Sequence, residues 1–452
     1  MLAPVRHYVR DSLPPPDPTY LGNIRNFYYR AVRRCSEQRD EFADIIISDH
    51  LNIEHIVSFG LAHTPDGEGE IHDICWQFLK HLQTHLPRPT TLAPAIFNIT
   101  NKSSASTLKA HCLYYLGWLY SNIHRLTDAT NAFQAAEDLH IAVGDHVDAV
   151  SCVIHRAHIY RMQGRFIQSQ YVLENLQRSD SWEHLNDSTK SEVRLCFDLA
   201  RMFTFTASAD ELFVKSMDDP ISGLLSKGWH WRAKLSYDGD IAQIKMHLND
   251  LLLQCTDEHL TQRRDILKGL AEIASREGRL SEAMDIMQKI IGSFEGHPGH
   301  TLWYTVVQAV VASNHGNYDL ARELIRSSSG SFEFLMVPSA RTFLHRTYNA
   351  GRIELAAGEY DKAESYFATA VESCDMQDNL QFKALILRGL GEVAFLRGNS
   401  DLAAQQFAET RSLCAEMGVP AQHLCRCMVF YIPPDRLEGW VLFLEGRSPF
   451  AS

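Results

Sequence analysis

Residues 116–136 read LGWLYSNIHRLTDATNAFQAA. Leu116, Gly117 and Tyr120 fall within one helical turn, and Ala129, Phe133 and Ala136 keep the four and seven spacing of a single helix face. Between them, His124 sits where the chain must reverse. The pattern describes two antiparallel helices. Small residues let their backbones approach, and Tyr120 and Phe133 fill the remaining gap. The same frame returns at Leu390, Gly391, Ala394, Ala403 and Phe407, and more loosely at Gly351, Ala363, Phe367 and Ala370. One such pair cannot bury its own apolar faces, so recurrence predicts a stacked array.

The turns give an independent ruler, because a tight helix-to-helix reversal favours a residue that tolerates the left-handed region. Gly164, Gly239, Gly278, Gly316, Gly358 and Gly398 fall about 40 residues apart, with a first interval twice as long. That interval hides a degenerate unit within residues 191–227. On this count about seven units follow Lys109, the first turning at His124. Second helices repeat the logic: Ala283, Met287 and Ile290, and then Ala321 and Ile325, mark one face each.

This signature resembles the tetratricopeptide repeat, although a period near 40 exceeds that family's standard length of about 34. The resemblance covers residues 107–417. It implies an all-α fold, a right-handed α-α superhelix with a concave inner surface, preceded by a short helical entry region over 1–106 and followed by a cap over 418–452. Within the first copies Leu116, Gly117, Tyr120, Ala129 and Phe133 are read as repeat-packing residues. Ala283, Ala321, Ala363, Phe367, Gly391, Ala403 and Phe407 take that role later.

The entry region holds a breaker at DSLPPPD, then expected helices over 20–38, 51–63 and 71–85, parted by HTPDGEGE and a long loop to about residue 105. The opening MLAPVRHYV, followed by SDHLNIEHIVSFGL, resembles the junction between winged helix and repeats in NACHT and NB-ARC signal-transducing NTPases, fungal members above all. Asn52, Ile53 and Ile56 match that pattern, while Asp49 or His50 stands where the family carries an acid. The resemblance implies that the chain is the ligand-sensing, autoinhibitory end of a larger switch. The alternative is a free-standing scaffold that assembles protein complexes.

Composition narrows the class. The chain has 452 residues, 45% of them hydrophobic, and a net charge of −12 from 43 basic and 55 acidic side chains. That balance argues against a general nucleic-acid binder, which needs clustered cations. Residues 25–39 carry five arginines, read as a solvated or partner-facing helix surface. Ten cysteines without paired spacing and an N-terminus without an apolar h-region suit reduced thiols in the cytoplasm. No apolar run approaches the roughly 20 residues of a membrane span.

Catalytic signatures are missing from the sequence. It contains no G-x-x-x-x-G-K-[ST] loop, no G-x-S-x-G elbow, no H-E-x-x-H and no dinucleotide fingerprint. The expectation is a protein that is not an enzyme and uses no cofactor. His81 and His85 share a helix face, with His72 and Cys75 nearby, but no third ligand is identifiable; Cys425 and Cys427 have no second pair. No metal is expected at either place.

Function is therefore expected on the concave face, at first-helix positions that point away from the second helix. Those positions are Tyr114, Trp118, His158, Arg161, Lys268, Arg276, Tyr348, Arg352 and Arg388, with Asn122, Glu272, Asn314 and Glu392 among them. Cations outnumber acids there, which suits an acidic or carboxylate-bearing peptide; the alternative is that they pair with acids of adjacent repeats. Tyr114 and Trp118 occupy places where a chaperone-binding carboxylate clamp needs Lys and Asn, which disfavours that role.

Overall fold

The computed structural model describes residues 18–37, 43–63, 70–85, 106–122, 125–218, 223–237, 239–256, 259–293, 298–330, 340–377, 379–427 and 438–445. The regular elements among them are helical. The breaker DSLPPPD at 11–17, the long loop before residue 106 and the β-prone stretch from 428 lie outside the described residues. The chain divides into two compact units, residues 1–119 with 135–145 and residues 120–134 with 146–452.

The smaller unit opens with α1 (Pro18–Glu37), α2 (Ala43–His63) and α3 (Glu70–His85), which pack on one another. Ala31 and Val32 of α1, Ile46, Ile53 and Val57 of α2, and Ile74 and Phe78 of α3 are buried. Tyr28 Oη donates to Asp49 at 2.9 Å, tying α1 to α2. Helix α2 begins at Ala43, well before the expected residue 51, because Ile46 supplies a further buried turn that a β-branched run had disguised. Of the arginines on α1, Arg33 reaches Glu70 at 2.9 Å across an exposed surface.

Helices α4 (Ser106–Asn122) and α5 (Leu126–Ala142), the first expected repeat, are shared between the units. Leu116, Gly117, Ala129 and Phe133 are buried and Tyr120 is half-buried. The larger unit then continues as helix pairs: α6 (His146–Met162) with α7 (Phe166–Gln177); α8 (Asp187–Thr204), which packs against α7; α9 (Gly223–Ser236) with α10 (Ile241–Gln254); and α11 (Leu260–Arg276) with α12 (Leu280–Gly292). Three more follow: α13 (Pro298–Asn314) with α14 (Tyr318–Gly330), α15 (Ala340–Ala356) with α16 (Tyr360–Gln377), and α17 (Leu380–Leu396) with α18 (Ser400–Met417). A short α19 (Glu438–Leu444) lies on α17 and α18.

Gly164, Gly278, Gly316, Gly358 and Gly398 all adopt φ between +76° and +80° at the intra-pair turns. Gly239 does not, and its requirement is different: its N–H donates to Lys234 O at 2.8 Å, and a Cβ there would lie 2.9 Å from that oxygen. The degenerate unit keeps its first helix, α8. Its second helix gives way over residues 205–218 to an irregular loop with one 3-10 turn, Val214–Ser216. The loop reverses through Phe205 and Phe213 at φ 55° and 68°, a conformation few side chains tolerate. Asp198 holds it by accepting from Phe213 N–H at 2.9 Å.

The core is built by aromatic rings of second helices entering glycine gaps on first helices. Phe367 of α16 is fully buried; a Cβ at Gly351 of α15 or at Gly389 of α17 would each approach its ring to 2.7 Å. Phe407 of α18 meets Gly391 at a corresponding 2.4 Å. Ala283, Ala321, Ala363 and Ala403 are likewise fully buried.

Truncating Phe367 to Ala should lower unfolding free energy by about 3 to 5 kcal/mol, measured by denaturant melts; an unchanged midpoint would remove this ring from its structural role. A second expectation concerns acid. His155 stacks on Phe133 with ring centroids 5.1 Å apart, and burial depresses its pKa from the ordinary value near 6.5 to about 4. The unfolded chain binds this proton first, so stability is retained above pH about 6.5 and lost as pH falls toward about 4. The variant His155→Leu should flatten the stability profile across that window.

Candidate functional site

Direct packing of α9 on α11, α13 on α15 and α15 on α17 places first helices in one layer. Second helices carry more exposed surface: most of Glu359–Thr369 is open on α16, whereas Ala384–Gly389 of α17 is buried throughout. The first-helix layer is therefore the face on which repeat-equivalent side chains can line up.

The middle of that layer is charged and internally matched. Lys268 Nζ lies 2.7 Å from Asp265 Oδ1 and 5.3 Å from the centre of the Tyr304 ring. Arg232, on α9, sits over Trp229 at 4.4 Å and lies 3.8 Å from Asp265. Arg276 donates to Glu272 Oε1 at 2.6 Å and to Leu235 O at 3.1 Å. Each cation thus faces a carboxylate on its own or the neighbouring first helix. The result is a polar wall with aromatic inserts.

Other candidates fall in different settings. His158 is exposed, and its Nδ1 lies 3.0 Å from Arg161 Nη2. Burial pulls the Arg161 guanidinium below its usual pKa, with Cys196 opposing, and burial raises both the Cys196 thiol and the Glu192 carboxyl. Cys196 is thus a poor nucleophile at neutral pH. Arg352 lies 5.6 Å from the Tyr348 ring centre and donates to Asn349 Oδ1 at 3.1 Å. Tyr348 and Arg388 lie inside the packed layer, at 1% and 3% exposure. Tyr348 packs edge-on to Phe382 at 5.6 Å, so its ring serves the core and is no open wall. Glu392 accepts from Trp440 N–H at 3.2 Å, which draws α19 onto α17. Tyr114 and Trp118 belong to the smaller unit, both half-buried. Asn314 is half-buried on α13, and the side chain of Asn122 lies outside the described residues.

A contact invisible to repeat reading joins the two ends of the larger unit. Gln163 and Met162, at the α6–α7 turn, accept from Leu380 N–H at 2.8 Å and from Asn379 Nδ2 at 2.9 Å. Asn379 also caps α17, accepting from Phe382 N–H at 3.0 Å. Gly164 allows the approach: besides its positive φ, a Cβ there would meet Gln381 N at 2.8 Å and Met417 Sδ at 3.0 Å. Phe166 shares one core cluster with Phe367, Phe382 and Met417. Phe205, from the irregular loop, stacks on His423 at 4.2 Å. The first pair of this unit is therefore seated on its last pair. No spacing argument signals this contact, since Asn379 and Gln163 each look like ordinary turn residues.

Side chains of His81, His85 and His72 lie outside the described residues, as do those of Cys425 and Cys427. Cys75 is wholly buried, and burial raises its thiol pKa well above the ordinary value. No helix among the described residues is long and apolar enough to cross a membrane.

Residues 306–378 and 348–413 match the tetratricopeptide repeat family. The solved structures to which the chain is similar include a Rap protein complexed with competence and sporulation factor, at 13% identity and a TM-score of 0.52, covering 90% of this chain and 99% of that one. A Rap conjugation gene regulator of plasmid pLS20 in complex with the Phr* peptide follows at 11% identity and 0.46, covering 88% and 98%. An IFIT1 monomeric mutant with Gppp-AAAA reaches 12% and 0.41, covering 90% and 84%. The first likeness, together with the repeat matches, establishes an α-helical repeat fold of tetratricopeptide type. No curated protein matches.

Replacing Asn379 by Ala removes both the α17 cap and the bond to Met162, and should lower stability by about 1 to 3 kcal/mol. The diagnostic readout is hydrogen exchange at the α6–α7 turn, 217 residues away in sequence. Protection lost at α17 alone would mean that the seating of the two pairs is incidental.

Proposed function

We propose that this chain is a binding module for an extended segment of a partner protein, held along the first-helix layer of its larger unit. The observation that carries the reading is the row formed by Arg232, Asp265, Lys268, Glu272 and Arg276, set among Trp229 and Tyr304. Asp265, Lys268, Glu272 and Arg276 run along one side of α11 and Arg232 joins them from α9 beside the half-buried Trp229, which suits a ligand lying across these two first helices. The Rap protein, of similar fold, is complexed with competence and sporulation factor, and that association supports the same use of the fold here.

The matched charges refine the ligand. Lys268 and Arg276 already face Asp265 and Glu272, so a bound segment exchanges partners with these pairs. That favours a segment of mixed charge over a uniformly acidic one. The narrower reading, a sensor end of a NACHT or NB-ARC NTPase, rests on the opening MLAPVRHYV, which lies outside the described residues, and on Asn52, Ile53 and Ile56. Ile53 is buried inside α2's core, which packing explains, and the fold comparisons lend that reading no support. An adaptor role, with no enzymatic step of its own, agrees better with the inner face.

The test is a peptide selected from a displayed random library on the purified chain. A photoreactive amino acid is placed in turn at Lys268, at Ser275 and, on the exposed side of α12, at Lys289. Crosslinks to the selected peptide are expected from the first two positions. Crosslinking from Lys289 alone, or a library from which nothing is enriched, would overturn the assignment of the first-helix layer.

A further inference from the structure

Within the smaller unit, the end of α5 brings two imidazoles and a carboxylate together. His140 lies in the last turn of α5 and is 1% exposed. The chain then reverses at Gly144, φ 79°, and Asp145 N–H returns to His140 O at 2.9 Å. This turn sets the Asp145 carboxylate 3.5 Å from His140 Nδ1. From α4, His111 approaches with its ring centre 5.3 Å from that of His140. His111 is itself oriented by stacking on Trp76 of α3, at 3.9 Å and 14° between planes. The donor atoms of His111, His140 and Asp145 all lie within 4.8 Å of one another.

We propose that these three side chains form a binding site for a divalent transition-metal ion of the zinc class. Zinc takes nitrogen and oxygen donors at about 2.0 to 2.2 Å in a tetrahedron, which puts neighbouring donors roughly 3.4 Å apart. The Nδ1 to Oδ2 separation of 3.5 Å already matches such an edge. Closing the third corner needs about an ångström of adjustment, and Asp145 can supply it because its side chain is 34% exposed on a turn. The stack on Trp76 orients the His111 ring, and a metal gives the three donor atoms gathered there a common role. Imidazole and carboxylate without thiolate suit zinc, nickel or copper over softer ions, and calcium and magnesium prefer all-oxygen shells. The bound ion joins α4 to the α5 turn, residues 29 apart in sequence and otherwise unlinked in any motif, which is why the spacing of histidines along the chain does not announce it.

The experiment uses the full chain, stripped with chelator and dialysed against ZnCl2 or CoCl2. The expected result is one zinc bound per chain and a cobalt complex with the intense visible absorption of tetrahedral coordination. Copper or cobalt should quench the fluorescence of Trp76, which stacks on a ligand, and Trp76→Phe should remove that component while leaving the stoichiometry unchanged. Asp145→Asn, a change on an exposed turn, and His111→Gln should each weaken zinc by at least about tenfold. Affinity should also fall as pH drops and protons compete for the imidazoles. Because the chain carries 22 histidines, adventitious binding is the rival, and the variants separate the two. If Asp145→Asn and His111→Gln, both helical by circular dichroism, bind zinc as tightly as the parent, or if the parent binds none, the site does not exist.

Discussion

The larger unit depends on aromatic rings entering positions where first helices have no Cβ. Phe367 touches Gly351 and Gly389 on two successive first helices, so one side chain couples α15, α16 and α17. Any larger residue at either glycine would have to displace a ring with no free space around it, because interiors are packed as tightly as crystals. Phe407 at Gly391 repeats the device one pair later. The spacing between first helices, and therefore the curvature of their layer, follows from how deeply these rings seat. At the polar wall the matching contact is aliphatic, since a Cβ at Gly269 of α11 would lie 2.9 Å from Leu248 Cδ1.

Repeat arrays are commonly treated as one-dimensional, each unit stabilised by its neighbours. The bonds from Asn379 and Leu380 to the α6–α7 turn break that independence. Contacts separated by more than two hundred residues carry a large loop-closure cost, which is recovered only after the intervening pairs have formed. The seating of α6 and α7 on α17 and α18 thus ties together two ends of the unit across all the intervening pairs. Gly164 serves both levels, reversing its own pair through a positive φ and leaving room for Gln381 and Met417.

Particular residues show where sequence reading succeeded and where it stopped. The Ala–x–x–x–Phe spacing at Ala363 and Phe367 was legible because repeat packing is local in sequence. The glycine ruler worked wherever the reversal needed φ above zero, and it also reached Gly239, where proximity to Lys234 O is the cause. Facing direction was harder. Tyr348 and Arg388 occupy nominal groove positions, yet tight first-helix packing encloses them. Periodicity reports which residues share a face and says nothing of whether a neighbouring helix covers it. The start of α2 was misplaced for a related reason: an isoleucine run has low helical preference, and burial of Ile46 overrides it.

The matched charges of the inner layer bear on how such a module discriminates. Asp265 is 8% exposed and Glu272 9%, so each carboxylate is largely removed from water and needs its cation. A ligand that draws Lys268 away from Asp265 without offering a donor in return leaves a buried charge uncompensated, a penalty of several kcal/mol. A ligand that presents both a carboxylate to Lys268 or Arg276 and an N–H or ammonium group to Asp265 or Glu272 avoids it. Selectivity then comes from rejection of segments whose charges are of one sign. On the proposed function the half-buried Trp229 supplies contact area for any segment, while Tyr304, at 4% exposure, backs Lys268 from the core, so the ion pairs decide which segment is retained. The net charge of −12 opposes the approach of polyacidic chains from a distance. On the proposed function, long-range and short-range electrostatics therefore favour the same class of ligand.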